Sequence, residues 1–67
     1  MAEPEITLEE QIAEVERELR FRERTYPRWV RLPMPKLTAH AAALHLARMR
    51  AVLDSLEQLK ALREGSR

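Results

Sequence analysis

Cysteine is absent from these 67 residues, so no disulfide is available to staple the fold. Glycine occurs once, at Gly65, which leaves no glycine-rich loop to cradle a phosphate. Aromatic residues are limited to Phe21, Tyr26 and Trp29, and β-branched residues are sparse, so strands have little to form from. No apolar run approaches the roughly 18 residues that a membrane-spanning helix needs. The acidic start Met1-Ala2-Glu3-Pro4-Glu5 lacks the basic and apolar regions of a secretory signal, so a cytoplasmic protein is expected. The length suits one small domain over residues 1–67, with 1–6 and 65–67 as flexible ends.

What the chain does contain is alanine, leucine, glutamate and arginine in abundance, all good helix formers. Its net charge of +1 is the small difference between 12 basic and 11 acidic residues, and it hides a strong ordering along the chain. Glu3, Glu5, Glu9, Glu10, Glu14, Glu16 and Glu18 crowd the beginning. Arg17, Arg20, Arg22, Arg24, Arg28, Arg31 and Lys36 fill the middle, opposed there by Glu18 and Glu23. The folded molecule is therefore expected to be electrically polar.

Thr7 followed by Glu10 is a capping-box pattern, and it predicts the start of a first helix. From there Leu8, Ile12, Val15, Leu19, Arg22 and Tyr26 recur at alternating spacings of four and three, the period that lines up one helical face. Pro27 disfavours helical geometry at Tyr26 and removes an amide donor, so this helix either stops near Thr25 to Tyr26 or bends and continues to Val30. The segment Leu32-Pro33-Met34-Pro35-Lys36-Leu37 reads as a turn over about 31–37, because each proline pushes its predecessor into extended geometry. Thr38 then caps a second helix over about 38–64 that ends before Gly65. The fold class is thus all-α, a two-helix antiparallel hairpin.

Projection of the second helix at about 100° per residue places Ala42, His45, Leu46, Met49, Val52, Leu53, Leu56 and Leu59 on one broad face, which is expected to meet the first helix. Leu44, Ala51, Ser55 and Leu62 fall on roughly the opposite side, and on the first helix Phe21 projects away from the apolar stripe among Arg17, Arg24 and Glu14. An isolated hairpin would leave these side chains in water. A chain this short removes a comparatively small fraction of its surface on folding, so more apolar contact is wanted than one seam supplies. Self-association is the expectation: in an antiparallel two-fold dimer the acidic start of one hairpin lies beside the basic middle of the other, and added salt loosens the pair.

Residues for catalysis are lacking. His40 and His45 are five apart and diverge by about 140° around a helix, whereas metal-binding pairs sit three or four apart on one face. Thr7, Thr25, Thr38 and Ser55 suit caps and helix surfaces better than a nucleophile's place, and the glutamates suggest a solvated face without a cleft. No enzyme activity, no metal and no cofactor are expected. The arginines between Arg20 and Arg31, interleaved with Phe21, Tyr26 and Trp29, supply cations for phosphates and rings for bases, so nucleic-acid binding at the hairpin tip is the alternative reading. A specific nucleic-acid module is usually more basic overall than +1. Arg22, at a seam position, is expected either to extend its head to the rim or to pair with a carboxylate of a second chain.

The stretch Arg20-Phe21-Arg22-Glu23-Arg24-Thr25-Tyr26-Pro27-Arg28-Trp29-Val30 resembles the signature of a group of small bacteriophage and prophage proteins in which an arginine-rich helix runs into Tyr-Pro-Arg-Trp-Val. Ala47-Arg48-Met49-Arg50-Ala51-Val52-Leu53 is similar to the core of their second helix. The likeness spans about 7–30 and 38–59, and departs where such proteins carry a short glycine turn and this chain has Leu32-Pro33-Met34-Pro35. It implies a phage origin more than a mechanism. By analogy of class, such a protein binds and modulates (inhibits or adapts) a host or phage protein, here expected as the homodimer argued above and in the host cytoplasm. The residues expected to meet that partner are Arg17, Phe21, Arg24, Arg28, Trp29, Leu44, Ala51 and Leu62.

Overall fold

A computed structural model describes residues 4–65, and within them the chain forms two helices and no strand. Helix α1 spans Leu8–Arg31 and α2 spans Ala39–Gly65. Thr7 starts α1 as its composition dictates: the hydroxyl accepts from the Glu10 amide at 3.1 Å, while the Glu10 carboxylate accepts from the Thr7 amide at 3.4 Å. Glu9 and Glu10 in the first turn and Arg28 and Arg31 in the last oppose the helix dipole favourably at both ends.

Of the two courses open at Pro27, the chain takes the longer one, and α1 runs through the proline to Arg31. The proline costs the bond that its missing amide would have given the Glu23 carbonyl four residues earlier. Pro27 and Glu23 are both exposed, so water can satisfy that carbonyl. The helix stops instead at Leu32, whose extended backbone (φ −62°, ψ 150°) is what a following proline demands. Thr38 caps α2, its hydroxyl accepting from the Ala41 amide at 3.0 Å. Gly65 is the last residue of α2 rather than the first beyond it, and residues 1–3 and 66–67 of the expected flexible ends lie outside the described part.

The helices pack antiparallel. The start of α1 and the end of α2 share one depression, lined by Leu8 and Gln11 with Lys60 and Arg63, and the other ends share a second, lined by Tyr26 and Val30 with Ala39, Ala42 and Leu46. Leu8, Ile12, Leu19 and Tyr26 are buried from α1, as their spacing requires, and Ala42 from α2. Val15 and Arg22 of the same stripe are half-buried, as are His45, Leu46, Met49, Leu53 and Leu56 opposite them. Val52 and Leu59 correct the expected inner face of α2: they remain 47% and 39% exposed. The inward direction of α2 is set by Ala42, Met49 and Leu53, and at about 100° per residue Val52 and Leu59 fall roughly 80° and 100° away from it.

Candidate interaction surface

The hairpin has two broad sides, and they differ mainly in what α2 contributes. Because the helices run antiparallel, turning in the same sense from each helix's inward direction leads to the same side of the molecule. Turning one way meets Glu23, Glu16, Glu9 and Arg20 on α1 and Glu57, Arg50 and Asp54 on α2. An ion pair between the helices, Arg50 Nη2 to Glu23 Oε2 at 3.5 Å, lies on this charged side and bears out the projection. Turning the other way meets Arg22, Trp29 and Glu18 on α1 and Leu56, His45, Val52 and Leu59 on α2. On this second side α2 is mostly apolar apart from Arg48 and Arg63, whereas α1 also carries Gln11, Glu14 and Thr25 and is mostly polar; Phe21 on α1 and Leu44 and Leu62 on α2 project roughly opposite the inward direction.

These three side chains are open to water: Phe21 is 48% exposed, Leu44 40% and Leu62 69%. Among the described residues no side chain is completely buried, which for a folded chain is an unusual shortage of interior. The chain exposes 5708 Å², against about 4,400 Å² for a compact monomer of 7.9 kDa.

The residues expected at a partner interface divide between two places. Phe21, Arg24 and Arg28 come together with Thr25 around one shallow depression on the outer part of α1. Arg17 projects from the same outer arc, where its guanidinium pairs with Glu14. The hydrogen bond to the Glu14 carboxylate, and then its charge, hold Arg17 still more firmly protonated than an ordinary arginine. Leu44, Ala51 and Leu62 lie along α2, Leu62 in a depression with Gln58, Ala61 and Gly65 that no α1 residue enters. Trp29 is half-buried at the tip, its ring 5.6 Å from that of Tyr26 and capped by the Lys36 ammonium at 5.7 Å. The expected partner-binding residues thus fall on different faces of the hairpin instead of forming one patch. Val52 and Leu59, on the apolar arc of α2, were hidden from sequence reasoning because they were assigned to the seam.

The remaining polar groups have local explanations. Arg22 Nε donates to Glu18 Oε1 at 2.9 Å, so its partner is a carboxylate of its own helix one turn earlier. His45 sits at the seam's edge with its ring 6.5 Å from Tyr26, while His40 is exposed. Among the described residues no group of three or more potential metal ligands is assembled. No helix is long and apolar enough to cross a membrane. Arg20, Arg24, Arg28 and Arg31 have no acidic side chain within ion-pair distance among the described residues, and they make the tip half of α1 basic. No known protein family, curated protein or solved structure matches the chain.

Proposed function

We propose that this protein is a non-enzymatic interaction module of phage or prophage origin, acting in the host cytoplasm as a homodimer that binds and modulates a host or phage protein. The observation that carries the reading is the mismatch between apolar surface and interior: large side chains such as Phe21, Val52, Leu59 and Leu62 stay exposed while no side chain among the described residues is fully buried. Exposed apolar area of this extent on a small soluble chain marks a surface meant for another molecule. Phe21, ringed by Arg17, Arg24 and Arg28, has the makeup of an aromatic anchor within a polar rim.

Affinity capture from a bacterial host with the wild-type chain and with Phe21→Glu tests the docking half of this reading. The expected result is a host protein retained by the wild type and lost from the variant; equal capture by both overturns docking through Phe21. The alternative is a nucleic-acid-binding accessory protein using the basic tip, favoured by Arg20, Arg24, Arg28 and Arg31, which make no ion pair among the described residues. Against it, the Trp29 ring already has Tyr26 and the Lys36 ammonium as neighbours, with which a stacking base would compete. A mobility-shift assay at low salt separates the two: no shift is expected, and a shift that fades with added salt supports the alternative.

A further inference from the structure

Resting on the reading that Phe21 docks on a partner protein, we infer that the partner offers an acidic segment, whose carboxylates run along the outer arginines of α1 and whose apolar side chain packs on Phe21. Arg17, Arg20, Arg24, Arg28 and Arg31 follow one another at spacings of three, four, four and three. At about 100° per residue they share an arc of about 80° on the outer part of α1, and Phe21 lies about 20° beyond its edge. All six side chains are exposed. From Arg17 to Arg31 the row rises about 21 Å, and it is one helix wide, the width of a single segment of chain.

The row is kept at a cost to the helix. Arg20 with Arg24, and Arg24 with Arg28, are like charges one turn apart, a placement that destabilises where an opposite charge would stabilise. The glutamates in this half of α1 are engaged elsewhere: Glu18 pairs with Arg22 at 2.9 Å, and Glu23 reaches across to Arg50 at 3.5 Å. An anionic surface laid along the row relieves the repulsion. Two observations favour a protein over a nucleic acid as that surface. Phe21 shares one depression with Arg24, Thr25 and Arg28, so the cations surround a ring that seeks an apolar counterpart, which a phosphate backbone does not carry. Glu10 lies on the same arc two turns before Arg17, and Glu14 stands beside it, bound to Arg17. A duplex continues past the row at one charge per about 1.7 Å and is brought against these carboxylates, whereas a short acidic segment stops short of them.

Fluorescence anisotropy with the full chain tests this, using labelled peptides of about 15 residues, the length of the row as a helix. One peptide carries a leucine at its centre among glutamates, a second carries serine in its place, and single-stranded and duplex oligonucleotides of equal charge complete the set. The leucine peptide is expected to bind about tenfold more tightly than the serine peptide or either oligonucleotide, and to weaken as salt is added. Arg24→Glu stands one turn from both Arg20 and Arg28 and turns two repulsive pairs into attractive ones. It is expected to weaken the leucine peptide about tenfold while its thermal midpoint by circular dichroism holds or rises. The acidic partner is overturned by a leucine peptide that does not bind at low salt, by equal binding of the two peptides, by tighter binding of an oligonucleotide, or by an Arg24→Glu chain that binds unchanged or melts lower. Docking through Phe21 fails separately, when a captured host protein is held equally by the wild type and by Phe21→Glu.

Discussion

Tyr26 is the largest side chain in the seam and sits where the helices close at the tip, beside Trp29 and His45. Tyr26→Ala removes that ring from a site with little freedom to collapse, and a loss of about 3 kcal/mol is expected in chemical denaturation. Thr7→Ala removes the hydroxyl that accepts from the Glu10 amide, keeps the backbone amide that donates to the Glu10 carboxylate, and is expected to cost about 1 kcal/mol, measured the same way. The pair formed by Arg17 and Glu14 should be nearly silent, because both side chains are solvent-exposed and water screens them. Arg17→Ala is therefore expected to leave the midpoint of the same denaturation unchanged while weakening partner capture. These individual roles were legible where chemistry is local: the cap at Thr7, the seam position of Tyr26 and the solvent position of His40 all follow from spacing alone. Arg22 was legible only in part, because a residue's place on a stripe does not say which of several glutamates it reaches.

Helix α1 shows its inward face plainly, since Leu8, Ile12, Leu19 and Tyr26 alternate with charged residues and leave a single apolar stripe. Helix α2 does not. Apolar and small side chains run around most of its circumference, so its sequence fits more than one inward direction, and only contact with α1 selects the arc centred on Ala42, Met49 and Leu53. That is why Val52 and Leu59 were placed in the seam by pattern and lie outside it in space. Pro27 poses a similar problem. Its ring argues for a break, yet the capped helix already formed and the solvent exposure of the freed carbonyl let α1 pass through it. Pro27→Ala restores one backbone bond and is expected to raise the stability of α1 by about 1 kcal/mol or more, read as a higher thermal midpoint by circular dichroism. A lower midpoint would mean that the ring contributes packing near Val30 and Leu46 that outweighs the lost bond.

At the scale of the molecule, the hairpin was legible from its caps, its prolines and its periodicity, and its charge ordering was plain on inspection. Which residues of the two helices share a side was not, because it depends on the relative rotation and level of two helices. The ion pair between Glu23 and Arg50 and the ring contact between Tyr26 and His45 supply that information. The account's central claim is that one copy leaves large apolar side chains such as Val52 and Leu59 exposed and that a second copy covers them. Sedimentation equilibrium at micromolar concentration tests this most directly, using the wild type beside a Val52→Glu, Leu59→Glu double variant whose carboxylates would be stranded in the shared core. A mass of twice 7.9 kDa for the wild type, falling to one copy in the variant, is the result predicted. A stably helical wild type of single-copy mass across that concentration range would contradict it.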